Sequence, residues 1–192
     1  FPLNMFPFRL VNDGPIKIYE NPMVLPRAFL VDRVSVVPTE EEVVRKIKSG
    51  SYEPGETAFM PQAEAGKLGD EIAALGSSSD NASFRGTVTI QNYTPNRIAV
   101  QASIDKPEML ILSDTYYPGW KAFDNGREVP VLRVNHTLRG IMMGKGDHDI
   151  LFVFRPISLS IGAGLSLLSI AGAVIALLLT KSRLRTRHTL YE

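Results

Sequence analysis

His136, His148 and His188 are the chain's three histidines. They fall in a hairpin linker, at the start of a strand-like run and in a basic tail, so no two share metal-ligand spacing on one helix or strand. With 0 cysteines there is no thiolate ligand, no thiol nucleophile and no disulfide. Asp114 and Asp124 flank the turn from Tyr116 to Trp120 and are the nearest thing to the paired acids of glycoside chemistry. Short acids at strand ends more often cap turns, and that reading is preferred. Ser113 has no Gly-x-Ser-x-Gly context, and no Gly-rich phosphate loop is present. Glu40-Glu41-Glu42 lacks the alternating oxygen ligands and internal Gly of a calcium loop. On these grounds no catalytic residue, metal ligand or cofactor is assigned.

Binding is a different matter. Tyr116, Tyr117 and Trp120 offer flat apolar faces with polar handles, the residue types on which a sugar ring or a lipid interface can sit. Against this stands a plainer reading in which Trp120 is a core residue and Pro118-Gly119 forces the bend. Arg27, at a strand start, poses the same choice between an ion-pair partner and a ligand contact; the structural role is preferred.

The elements that must carry these residues are mainly strands. From Leu110 to Pro156 four strand-like runs follow one another and read as a β-meander. Asn125-Gly126 supplies the positive φ angles of a two-residue hairpin, and Val129 to Val134 is its returning strand. Leu138 to Met143 and Ile150 to Phe154 follow, and the alternation of Ile150, Phe152 and Phe154 with Leu151 and Val153 predicts a last strand covered on both faces. Upstream, Phe8 to Val11 and Ile16 to Tyr19 form a hairpin, Arg27 to Val31 and Val34 to Val37 give further strands, and Thr39 caps a helix that stops at Gly50. Glu56 to Met60 is a short strand. Gly86 to Asn92 and Arg97 to Ile104 form a pair about Thr94-Pro95-Asn96. The stretch 61–83, rich in Ala, Gly and Ser, reads as a flexible surface loop with a short helix near Asp70 to Leu75. The expected fold is mainly β, an antiparallel β-sandwich of jelly-roll-like type with one short helix.

Ile157 to Thr180 carries no charged residue and as a helix is about 36 Å long, enough to span a bilayer. The expected organisation is therefore a β-sandwich over 1–156, a transmembrane helix over 157–180 and a basic tail over 181–192. Lys181, Arg183, Arg185 and Arg187 place that tail in the cytoplasm and the sheet domain outside. Ser158, Gly162, Ser166, Ser169, Ala173 and Ala176 recur near helical spacing, a small-residue stripe suited to close packing of partner helices. Net charge is +1 and the tail holds much of the basic excess, so the body has no footprint for nucleic acid. No charged n-region with an apolar core follows Phe1, and an exported domain without its own signal is expected to be a piece of a longer protein.

Several of these residues also carry a resemblance. Tyr116-Tyr117-Pro118-Gly119-Trp120-Lys121-Ala122, Gly126 with Val129-Pro130-Val131, Gly146-x-His148 and Arg155-Pro156 before a membrane helix resemble the C-terminal end of the YfhO family of bacterial multi-spanning membrane proteins. Tyr19-Glu20-Asn21-Pro22 and Leu25-Pro26-Arg27-Ala28 fit the same pattern. Asn125, where the family usually has Asp, and Phe154, where Tyr is common, depart from it without touching chemistry. The family is grouped with GT-C type glycosyltransferases, which take a sugar from a polyprenyl-phosphate donor outside the cytoplasmic membrane. The resemblance thus implies an accessory portion of such an enzyme, with upstream transmembrane helices, a polyprenyl-phosphate sugar or cell-wall glycan as partners, and catalytic residues elsewhere. A single-pass anchored glycan-binding module and a purely structural or assembly domain are the alternatives.

Overall fold

The computed structural model describes residues 8–50, 52–69 and 86–188. In chain order the elements begin with β1 (Arg9–Asp13), β2 (Lys17–Glu20), β3 (Ala28–Val31), β4 (Arg33–Val37), α1 (Glu40–Lys48), β5 (Thr57–Pro61) and α2 (Gln62–Ala65). Next come β6 (Thr87–Thr94), β7 (Arg97–Ile104), β8 (Glu108–Thr115), β9 (Trp120–Asp124) and β10 (Arg127–Val129). The chain closes with β11 (Leu132–Val134), β12 (Leu138–Met143), β13 (Gly146–Phe154) and α3 (Ile157–His188).

Two antiparallel sheets face each other. One has five strands in the order β10-β9-β13-β7-β6 and the other four in the order β11-β12-β8-β3. Strict alternation sends Ile98, Val100, Ala102 and Ile104 of β7 inward, where they meet Leu110 and Leu112 of β8 and Ile150 and Phe152 of β13. β8 has no exposed apolar side: Met109 and Ile111 enter a second core with Ala58, Met60, Ala65 and Leu68. The four-stranded sheet is thus a middle layer, with the five-stranded sheet on one face and β4, β5 and α2 on the other.

The antiparallel sandwich is as expected, but its wiring is not a meander. β8, β11 and β12 belong to one sheet and β9, β10 and β13 to the other. The expected strand from Val129 to Val134 breaks at Pro130-Val131, so that β10 pairs with β9 and β11 with β12. Proline cannot donate to a ladder, and the corner where the chain changes sheets is where that costs least. Leu151 and Val153 are half-buried rather than covered, since among the described residues no layer lies over the outer face of the five-stranded sheet. β4 and β5 pair in parallel, joined through α1, an arrangement the strand patterns did not announce. The stretch 61–83 opens as structure, not loop: Pro61 ends β5, α2 follows, and Ala65 and Leu68 are buried. The helix expected near Asp70 to Leu75 lies outside the described residues.

Local signals held well elsewhere. Asn125 and Gly126 adopt φ +49° and +82° and close the hairpin between β9 and β10. The Thr39 hydroxyl accepts from the Glu42 N–H at 3.4 Å, and Gly50 at φ +79° follows the helix end. Glu40 does more than cap, because it forms an ion pair with Arg133 at 2.9 Å and meets His136 Nδ1 at 2.5 Å, tying α1 to β11 and the linker after it. The hairpin of β1 and β2 forms as expected, with every strand residue exposed.

Register gives the sandwich two distinct ends. Phe154 pairs with Trp120 and Val153 with Arg97 where α3 begins, whereas Gly146 pairs with Ile104 at the far end. The first is called the helix end below. Within α3, Ile157–Leu177 has mean hydropathy 2.0 and is long and apolar enough to cross a membrane. The helical backbone continues through the basic segment to His188.

Candidate functional site at the helix end

A polar cluster plugs the inter-sheet core at the helix end. Arg139 sits on β12 in register with Leu112, so its side chain points between the sheets, where it is 3% exposed. Asp114, two residues after Leu112 on β8, lies on the same side and accepts from Arg139 Nη2 at 2.8 Å. Arg27, just before β3, donates to Asp114 at 2.6 Å from outside, and the Tyr93 hydroxyl of β6 lies 2.9 Å from the same carboxylate. Trp120 of β9 covers the Arg139 guanidinium, with Cζ 3.9 Å from the ring centroid. Four strands and one strand start therefore converge on a single carboxylate.

Charge in this cluster is unbalanced, with two guanidinium groups to one carboxylate. Hydrogen bonding to Asp114 raises the Arg27 pKa above its usual value. Burial pulls that of Arg139 down, and the attraction of Asp114 opposes it. Burial first, then the hydrogen bond to Asp114, pushes the Tyr93 phenol up. Nε and Nη1 of Arg139 have no hydrogen-bond partner among the described residues. They rest instead against Trp120 and, at 6.0 Å, Phe152.

This geometry separates the two acids that sequence placed on either side of one turn. Asp114 is saturated by donors at the helix end. Asp124 lies four residues along β9 from Trp120, roughly 13 Å at strand rise. There it faces His148 Nδ1 at 2.8 Å, while His148 Nε2 faces the Gly144 carbonyl at 2.8 Å. The two carboxylates do not form an acid–base pair for glycoside chemistry. Among the described residues no group of three or more His, Cys, Asp or Glu is placed to hold a metal ion.

The three aromatic candidates also part company. Trp120 is half-buried against the core, its ring centroid 5.3 Å from Phe154. Tyr117 is 62% exposed, its ring centroid 6.1 Å from that of Phe154. Tyr116 turns towards α2, with Lys67 5.8 Å above its ring. Tyr117 and Trp120 thus share one cluster beside α3, and Tyr116 stands apart. On α3, Gly162, Ser166, Ser169 and Ala173 are all exposed, and the Ser169 hydroxyl donates to the Leu165 carbonyl at 2.9 Å.

Sequence reasoning named Arg27, Asp114 and Trp120 separately but missed Arg139 and Tyr93. A charged residue at an inward position of an otherwise apolar strand was the available signal for Arg139. Nothing local marks Tyr93, which reaches Asp114 only because the two sheets meet.

Residues 80–166 match the family model described as bacterial membrane protein YfhO. The match covers the motifs at Tyr116 to Ala122, Gly126 to Val131 and Gly146 to His148, and it ends inside α3. The motifs around Tyr19 to Pro22 and Leu25 to Ala28 lie upstream of it. No curated protein and no solved structure matches the chain.

Proposed function

We propose, taking the YfhO match over residues 80–166 as premise, that this chain is the C-terminal accessory portion of a polytopic membrane protein that glycosylates cell-envelope glycan or teichoic acid from a lipid-linked sugar. In this reading α3 is the last span, the sheets lie outside the cytoplasmic membrane and the segment after Thr180 is cytoplasmic. Earlier spans of the same protein pack on the stripe of Gly162, Ser166, Ser169 and Ala173 and carry the donor site and catalytic acid.

The observation that carries the proposal is the junction between sheet and helix. The Arg155 N–H donates to the Gly119 carbonyl at 2.7 Å, and the Phe154 N–H to the Asn96 carbonyl at 2.9 Å. Gly119, at φ +109°, packs so closely on Pro156 that an added Cβ would lie 2.9 Å from its Cα. Two turns therefore clamp the residues leading into α3, which suits a module that positions a span or an acceptor and does not suit one swinging on a free linker.

A second reading, an anchored glycan-binding module, has its own support. Thr87, Thr89, Gln91, Gln101, Ser103 and Asp149 line a shallow polar groove on the outer face of the five-stranded sheet. Amides, hydroxyls and carboxylates in a row are the groups that hydrogen-bond sugar hydroxyls.

One assay separates the readings. Labelled sugar is offered on a polyprenyl-phosphate donor in liposomes to this chain and, in parallel, to the protein extended upstream by its membrane spans. Turnover is expected from the extended protein alone. Turnover by this chain overturns the accessory role, while glycan capture by this chain that Gln101→Ala abolishes favours the second reading.

A further inference from the structure

We propose that the outer face of the five-stranded sheet, at its helix end, docks on anionic phospholipid headgroups of the leaflet that α3 enters, through Arg97, Lys121 and Arg155. The inference rests on the reading of α3 as a membrane span. It adds a lipid-facing surface that neither the glycosyltransferase reading nor the glycan-binding reading contains.

Register assembles this surface from distant parts of the chain. Val153 of β13 pairs with Arg97 on one side and Lys121 on the other, and directly paired residues share a face. Arg97 and Lys121 thus flank Val153 in one row across the sheet. Arg155 lies two residues further towards α3 and lines the same groove as Arg97, Leu151 and Val153. All three basic residues are exposed.

The acid that lines the same groove, Asp149, lies on the side away from α3, four residues along β13 from Val153. Lys121 has Glu128 at 2.9 Å, whereas Arg97 and Arg155 have no carboxylate partner among the described residues. Asp114, the other acid at this end, is turned inward and held by Arg27 and Arg139. Along β13 the outward residues run Asp147, Asp149, Leu151, Val153, followed by Arg155, so the face passes from acidic through apolar to basic as it nears α3. Phe123 and Ala99 complete the half-buried apolar band between the two charged zones.

The distances suit a headgroup layer. From Val153 to Pro156 the chain advances about 10 Å at strand rise, and the interfacial region is about 5 to 8 Å thick on each side of the hydrocarbon core. Arg155 lies within that layer, and the Arg97–Lys121 row reaches it with extended side chains. Each basic group near an anionic surface is worth roughly fivefold in the ratio of docked to undocked states. Three give roughly 125-fold over a neutral surface, and about 25-fold with Lys121 cancelled by Glu128.

The chain has 0 cysteines, so single fluorophores can be placed at Asn96→Cys, in the turn at the helix end, or at Ser103→Cys, at the far end of the same face. The full chain is reconstituted in vesicles of phosphatidylcholine, with or without phosphatidylglycerol, that carry a headgroup quencher. Quenching at position 96 is expected to rise with phosphatidylglycerol, to fall with added salt, and to fall again in the Arg97→Glu, Lys121→Glu variant. Position 103 should stay unquenched throughout. Position 96 quenching that ignores lipid charge and salt in the parent protein overturns the docking surface without touching the anchor. Failure of the chain to float with any vesicle overturns the anchor and the docking surface together.

Discussion

The two ends of the sandwich solve one problem in different ways. Where two sheets stop, the core between them must be closed by side chains that tolerate water on one side. At the far end His148 and Asp124 do this, and each ring nitrogen has a partner, Asp124 at 2.8 Å for Nδ1 and the Gly144 carbonyl at 2.8 Å for Nε2. Asn125 completes that closure by donating to the Asp147 carbonyl and accepting from the Asp149 N–H, each at 3.0 Å. At the helix end Arg139 and Asp114 do the same work, but a second arginine joins them and two Arg139 nitrogens have no hydrogen-bond partner among the described residues. One end is finished within the fold; the other keeps excess positive charge, aromatic rings and a clamped helix.

The sharpest break of this comparison is Arg139→Ala. It strips Asp114, whose side chain is only 12% exposed, of its interior partner and opens a void under Trp120, but Arg27 and Tyr93 still hold the carboxylate, so the cost should fall at about 3 kcal/mol, the low end for breaking a buried pair. Chemical denaturation followed by tryptophan fluorescence reads this directly, because Trp120 is the chain's 1 tryptophan and stacks on the lost guanidinium. The double variant Arg139→Met, Asp114→Leu should recover most of the stability, since an apolar plug of similar volume needs no partner. If the double variant is as unstable as the single one, the cluster is not a simple closure.

Trp120→Ala comes next, at about 2 to 3 kcal/mol, below the range for fully buried aromatic rings because Trp120 is half-buried. Thermal melting under matched conditions measures it, and a change above that range would mean that the Arg139 cluster collapses with the ring.

Smallest is His148→Gln at the far end, at about 1 to 2 kcal/mol, because the shorter-reaching amide keeps one of the two hydrogen bonds and forfeits the other. Amide hydrogen exchange should show the effect confined to β9, β12 and β13 near Gly144. Exchange that quickens equally around Trp120 would mean that the two ends are not independent.

Sequence pattern alone determined much of this protein, and for a local reason. The φ-positive Asn125-Gly126 turn, the Thr39 cap, the alternation along β7 and the long uncharged run after Pro156 each depend on residues within a few positions of one another. Periodicity reads such features because backbone geometry repeats over that same distance. It did not decide which sheet each strand joins, because β10 and β11 look alike as strand sequence and part only where Pro130 lets the chain cross between layers. Nor did it decide the site. Arg27, Tyr93, Asp114 and Arg139 are separated by up to more than a hundred positions and meet only when two sheets close on each other, and Arg97, Lys121 and Arg155 share a face only through strand register. Non-local pairing selects those contacts by burying apolar area across the whole sandwich, a quantity that no single stretch of sequence contains.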